Sequence, residues 1–191
     1  MVIVKKKYYF IIENIRDINL KNKKNSSKFC IIYRPKVKIK NIDELMRFRN
    51  NCKRRNIDFY VSNNIKLSNL LKSDGIYISA HNTNLKIANL RHSNFKIIGS
   101  AHNIKEIKIK KLQGCSSIVF SRLFKTSYKY KKGFLGVLKF NLFKLSRKED
   151  LIPLGGIKSS NFNKLNTVKC ESIAIFSEIK KRPSTFSKLC Y

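Results

Sequence analysis

Eight short runs of β-branched, aromatic and other apolar residues recur along this chain of 191 residues, and they limit its fold more than any single motif. They are YYFII (8–12), FCIIY (29–33), FYVS (59–62), GIYIS (75–79), FKIIG (95–99), SIVFS (117–121), LIPLG (151–155) and SIAIF (172–176). None alternates strictly between apolar and polar residues, which suits strands covered on both faces. The segments between them are mostly 11 to 30 residues long. A hairpin needs only a few residues, whereas a parallel crossover needs a dozen or more. Eight strands joined by crossovers predict an α/β fold, a (β/α)8 or TIM barrel of parallel strands. Such barrels typically hold about 250 residues, so this one must be trimmed, with one domain over 1–191. An open doubly wound sheet is the alternative.

The connecting segments support that rhythm. Ile42, Leu45, Met46 and Arg49 share one face of IDELMRFRNNCKRR, with Asp43 and Glu44 near the positive end of the helix dipole. In NIKEIKIKKLQG, Ile104, Ile107 and Leu112 form the expected inward stripe, Asn103 is the N-cap and Gly114 follows the end. In SSNFNKLNTVKC, Ser160 is the expected cap and Phe162, Leu165 and Val168 the stripe. The first crossover, NLKNKKNSSK, has too few apolar residues for a helix to bury.

Forty-two lysines and arginines against 11 acidic residues give a formal charge of +31. That excess attracts phosphate-bearing partners. The cations are spread along the whole chain, in company with many Asn and Ile, as an AT-rich coding sequence favours. Genome bias is therefore the expected main cause, and charge alone leaves small anionic substrates and nucleic acid both open. No stretch is long and apolar enough for a membrane span, and the N-terminal MVIVKKKYYFII lacks the cleavage site of a secretory signal. Cys30, Cys52, Cys115, Cys170 and Cys190 lie at long, irregular spacings without a CxxC pair. The expectation is reduced structural thiols in a cytoplasmic protein.

IPLGGIKSSN (152–161) stands out, because a chain with only 7 glycines places two side by side after a strand. In TIM barrels a phosphate site is often built by the loops after strands seven and eight. Gly155 and Gly156 would let backbone N–H groups approach an anion, and Ser177, after the eighth run, would add a hydroxyl.

LIPLGGIKSSN also resembles the IPVxAIGGIxxxN segment of the thiamine phosphate synthase and TenI-like family. YRPK (33–36) is similar to that family's QxRxK, SNN (62–64) falls at its NDD turn, and DGIYIS (74–79) falls at its DGVHxG. IIGSAHN (97–103) resembles IIGxSxH, SRLFKTSYK (121–129) resembles GPxFxTxTK, and SIAIFSEI (172–179) resembles GVAVVSAI. The resemblance implies thiamine biosynthesis, in which a transferase joins a pyrimidine methyl pyrophosphate to a thiazole phosphate with help from Mg2+. It assigns Arg34, Lys36 and Lys129 to catalysis at the pyrophosphate, and Ser62, Ser100 and Thr126 to substrate binding. Gly155, Gly156 and Ser177 match the thiazole-phosphate cradle. Phosphorylated small molecules are the partners that the resemblance implies, with nucleic acid not expected.

The metal half departs from the pattern. Asn63 and Asn82 stand where the family has its metal-binding aspartates, so any Mg2+ site is expected to be weak. Ile32 replaces the pyrimidine-reading glutamine, Ser62 an asparagine and Tyr128 a threonine. Arg122 occupies the place of a proline, and of the TenI-like proton-transferring histidine; arginine stays protonated and is a poor base. A non-catalytic or regulatory phosphate binder is the alternative function. His102 is expected to bond nearby backbone, His81 and His92 to lie on the surface, and Asp74 to stabilise a turn.

Overall fold

The computed structural model describes residues 7–20, 27–37, 39, 41–92, 95–126 and 133–181. Eight strands close into a barrel in the order in which they occur in the chain: β1 (Lys7–Ile12), β2 (Phe29–Tyr33), β3 (Asp58–Ser62), β4 (Gly75–Ile78), β5 (Lys96–Ala101), β6 (Ser117–Ser121), β7 (Asp150–Leu154) and β8 (Ser172–Ile175). Every neighbouring pair is parallel. All eight expected runs are strands, and the open sheet is excluded by the β1–β8 pairing of Lys7–Phe10 with Ser172–Ile175.

The strands are apolar on both faces because each face meets a different core. Tyr9, Ile11, Cys30, Ile32, Tyr60, Tyr77, Ile98, Val119, Ile152 and Ala174 pack inside the barrel. Tyr8, Phe10, Ile12, Phe29, Ile31, Phe59 and Val61 point to the outer layer. Side chains of successive strand residues leave opposite faces, so this is the period of two hidden inside continuous apolar runs. Bulk is balanced across the interior, where Tyr9 pairs with Ala174 in the ladder.

Among the described residues five α-helices cover the strands: α1 (Ile42–Arg54), α2 (Ile65–Leu70), α3 (Ile104–Leu112), α4 (Gly136–Leu145) and α5 (Ser177–Lys181). The trimming lies in the crossovers. Single 3-10 segments replace α-helices at Ile15–Asp17, Leu85–His92 and Ser159–Thr167. Residues 21–26 of the first crossover lie outside the described residues.

In α1, Asn41 caps the helix by accepting from the Glu44 amide at 3.0 Å. Leu45 and Arg49 face inward as expected, while Met46 departs from that face and is 39% exposed. Arg49 donates to the Lys72 carbonyl (2.9 Å) and to Asp74 Oδ1 (3.0 Å), and Asp74 Oδ2 accepts from the Phe59 amide at 2.7 Å. Asp74 is thus the turn-stabilising residue expected.

The α3 stripe is corrected. Asn103 caps as expected and Ile107 is buried, but Ile104 and Leu112 are 45% and 64% exposed. Lys110 fills the inward place. Its stem lies on Gly99, where an added Cβ would come within 2.9 Å of Lys110 Cγ and Cδ. Burial lowers its pKa, but its ammonium is satisfied by the Asn82 carbonyl (2.6 Å) and Gln113 Oε1 (2.8 Å). The third stripe also differs. Ser159–Thr167 is a 3-10 segment beginning after Lys158, whose amide donates to Asn161 Oδ1 at 2.9 Å, so Ser160 is not its cap. Leu165 and Val168 are buried as expected.

Candidate functional site

The C-terminal ends of the strands open into a cavity of about 360 Å3. Its walls come from six strands: Arg34 after β2, Tyr77 and His81 at β4, Ser100 and His102 at β5, Ser121, Arg122 and Thr126 at β6, Leu154 to Ile157 at β7, and Phe176 and Ser177 at β8. Ala80, Val119, Ala174 and Phe176 make the apolar part of the lining. This is the end at which TIM-barrel loops build sites.

The Gly-Gly pair sits in this wall, and its geometry needs glycine twice. Gly155 has φ +105° and Gly156 φ +68°, the left-handed region that side chains disfavour. A Cβ on Gly156 would lie 2.6 Å from the carbonyl oxygens of Phe124 and Lys125. One on Gly155 would meet the Arg122 side chain at 3.1 Å. The β6 loop is bonded along the same edge, since Leu123 N–H donates to the Leu154 carbonyl and Phe124 N–H to that of Gly155, both at 2.9 Å. The pair therefore lets the loops after β6 and β7 touch, and in doing so sets Arg122 and Thr126 in the cavity wall. Thr126 Oγ1 is buried there with no hydrogen-bond partner among the described residues.

Beneath the opening, Tyr77 is buried and its hydroxyl is hydrogen-bonded to Ser100. Burial pushes the phenol pKa up, against that hydrogen bond and the positive charge of Arg34. Ser100 Oγ also reaches the Ile78 carbonyl at 3.4 Å. His102 differs from expectation: its Nδ1 lies 3.5 Å from Glu106 Oε2, and its ring lines the cavity. His81 is exposed, as expected, at the rim of the cavity. Its loop is held from below, because Lys110 and Gln113 both donate to the Asn82 carbonyl and Gln113 also donates to that of Asn84.

Of the residues assigned by resemblance, Arg34, Ser100, Thr126, Gly155, Gly156 and Ser177 share the cavity wall. Lys36 is turned to Glu13, its Nζ 2.8 Å from Oε1. Ser62 ends β3 and is not among the lining residues. Lys129 and Tyr128 lie outside the described residues. Ile32 is buried in the barrel interior. Arg122 lines the site at the position where the resemblance put it, whereas Tyr77 and His81 were not expected there. The usable signal was their position at or just past a predicted strand end.

Asn63 and Asn82 are joined to each other. Asn63, at φ +55°, accepts on Oδ1 from the Ser79 amide (3.0 Å) and from Asn82 Nδ2 (3.2 Å). An amide oxygen has two lone pairs, and both of these have donors. Asn82 Oδ1 accepts from the Asn84 amide at 3.0 Å. Among the described residues no group of three His, Cys, Asp or Glu side chains is arranged to hold a metal ion. Among the described residues no disulfide forms, and burial pushes the Cys30 and Cys52 thiols up to about 12, away from nucleophilic use. No helix among the described residues is long and apolar enough to cross a membrane.

Comparison with known proteins gives a consistent picture. The thiamine-phosphate synthase of Prochlorococcus marinus (strain AS9601) is 29% identical over 139 residues, 72% of this chain and 40% of that protein. That of Persephonella marina is 25% identical over 154 residues, 79% of this chain and 74% of that protein. The chain spans only about 40% of the length of the Prochlorococcus relative. A thiamine phosphate pyrophosphorylase from Pyrococcus furiosus has the same fold, with a TM-score of 0.69 at 15% identity over 97% of this chain and 96% of that one. The YdjI aldolase of Escherichia coli does so at 0.63 and 8% identity, over 97% and 91%. The thiamine monophosphate synthase family model matches residues 21–179, and the chain belongs to that family.

Proposed function

We propose that the cavity binds a phosphorylated thiazole-type precursor of thiamine phosphate, with the phosphate against Gly155, Gly156 and Ser177. The observation that carries this reading is the Gly155–Gly156 turn, which shares one cavity wall with Ser177 and Thr126. The apolar lining suits a flat heteroaromatic body.

The residues at the metal position do not suit Mg2+. That ion needs charged oxygen ligands in octahedral order, whereas Asn63 and Asn82 are neutral and their oxygens are bonded within the protein. The chain is therefore a divergent member, in which binding outlasts Mg2+-assisted coupling. A second reading, transfer without the metal, is favoured by Arg34 and Arg122 lining the same cavity. In it the pyrimidine carbon–oxygen bond breaks, pyrophosphate departs with the electron pair, and the thiazole nitrogen bonds to that carbon. Fixed guanidinium groups would stabilise the charge on the leaving group.

The test is a melting curve with thiazole phosphate, beside a coupling assay with both precursors, with and without Mg2+. Stabilisation by thiazole phosphate without product supports the binder. Product that forms without Mg2+ and is lost in Arg34→Ala supports the second reading. No stabilisation and no product rejects both.

A further inference from the structure

We propose that Lys110 and Gln113, at the end of α3, are positioning residues of the cavity: they set the loop after β4, residues 79–84, and with it the places of Ala80 and His81 in the cavity wall. What that wall binds rests on reading the cavity as a phosphate-ester site.

Both side chains are fully buried. Lys110 Nζ donates to the Asn82 carbonyl at 2.6 Å and to Gln113 Oε1 at 2.8 Å. Gln113 Nε2 donates to the carbonyls of Asn82 (2.9 Å) and Asn84 (3.0 Å). The glutamine amide is thus used at both ends, its oxygen for the ammonium and its nitrogen for the loop. The loop is also tied to the end of β3. Asn82 Nδ2 and the Ser79 amide both donate to Asn63 Oδ1, at 3.2 and 3.0 Å, and Asn63 Nδ2 donates to Ser79 Oγ at 3.0 Å. Between these anchors stand Ala80 and His81, which both line the cavity.

Packing alone does not account for a lysine here. Burying an ammonium is unfavourable, and both hydrogen-bond partners of this one are neutral oxygens. An apolar residue would seat α3 on β5 without that penalty, as Ile107 does one turn earlier. The strand even leaves room for the lysine, since a Cβ on Gly99 would come within 2.9 Å of its Cγ and Cδ. What Lys110 and Gln113 supply, and a leucine could not, is donors for the carbonyls of an irregular loop. Donors fixed on a helix hold such a loop more tightly than the loop holds itself.

The experiment pairs titration calorimetry of the full chain, using thiazole phosphate, with NMR of its three histidine rings, His81 being assigned with His81→Ala. Lys110→Met keeps the stem and removes the ammonium. Gln113→Glu keeps the acceptor for Lys110 and removes both donors to the loop. In each variant the His81 signals should shift, and affinity should fall about three- to tenfold, as expected for lost hydrogen bonds. Lys108→Met, exposed on the same helix, should change neither. Ile107→Val lowers stability without touching the loop, and should also leave the His81 signals and the affinity alone. Melting curves check that every variant folds, and either of the two loop variants suffices if the other does not. Unchanged His81 signals overturn the proposal. So does an affinity loss that Ile107→Val equals, or a His81 shift without loss of affinity in a parent chain that binds. If the His81 signals shift but the parent does not bind thiazole phosphate, the positioning stands and the ligand reading fails.

Discussion

The two ends of the barrel handle charge in opposite ways. At the N-terminal ends of the strands, cations meet carboxylates. Lys7 Nζ lies 3.0 Å from Asp58 Oδ2, Lys96 reaches the same oxygen at 3.7 Å, and buried Arg49 is held by Asp74. At the C-terminal ends, Arg34 and Arg122 line a cavity whose described walls contain no carboxylate. With only 11 acidic residues for 42 basic ones, where those carboxylates stand decides which cations are structural. The lower end pairs its cations with carboxylates; at the upper end Lys36 is paired with Glu13 and His102 lies near Glu106, while Arg34 and Arg122 line a cavity without an acidic residue in its described wall.

The largest effect expected from this contrast is alkaline unfolding. Burial raises the phenols of Tyr9 and Tyr60 and the thiol of Cys30, all inside the barrel. A group whose folded pKa is raised contributes stability that is fully present below its unfolded value and lost as pH rises toward the folded one. The ordinary values are 9.0 for the thiol and 10.0 for the phenols, so stability should fall from about pH 9 upward, by up to about 1.4 kcal/mol per pH unit per group. Urea denaturation between pH 8 and 11 checks it; a flat profile would mean that the interior admits water.

Next comes Asp74→Ala. It strands the Arg49 guanidinium, 4% exposed, and removes the acceptor of the Phe59 amide. A loss of about 3 kcal/mol is expected, the lower end for one partner of a buried pair because Asp74 is partly exposed. Ligand affinity, measured below the lowered melting point, should stay the same if the two ends are independent.

At the upper end, Gly156→Ala should cost about 1–2 kcal/mol from its left-handed backbone alone. It would also press on the Phe124 and Lys125 carbonyls, so thiazole-phosphate binding should weaken more than tenfold in a titration. Equal losses of stability and no loss of binding would make the turn structural only.

A smaller effect is expected of Asn63→Asp combined with Asn82→Asp. Carboxylates there should create a Mg2+-dependent rise in melting temperature of a few degrees, absent from the parent chain. Smallest is Lys36→Ala. Its side chain is 72% exposed and its ammonium faces Glu13, so stability should change by less than about 1 kcal/mol and pyrophosphate affinity by less than about twofold. A tenfold loss would return Lys36 to the site.

Much of this was legible in the chain. The eight runs mark the strands because β-branched and aromatic side chains fit a surface covered on both sides, and that signal is local. The caps Asn41 and Asn103 were equally local, each an Asn whose side chain bonds an amide three residues on. The Gly-Gly turn was visible as a rarity in a glycine-poor sequence. Residues whose role depends on another strand were not. Nothing near Lys110 signals that its stem will lie on Gly99 and its ammonium under Asn82. Nothing near Lys36 shows that Glu13, on the preceding crossover, will draw it aside.

The sequence by itself determined the number, order and parallel sense of the strands, and the end of the barrel at which a site would lie. Each follows from apolar period and crossover length, which are properties of neighbours in the chain. Only the tertiary structure decided which cations reach the cavity, and that Asn63 and Asn82 bond each other across β3 and β4. The physical reason is the closure of the barrel. Ring closure sets residues from distant segments within a few ångströms, and at that range geometry selects among charges and amides that look alike in the sequence.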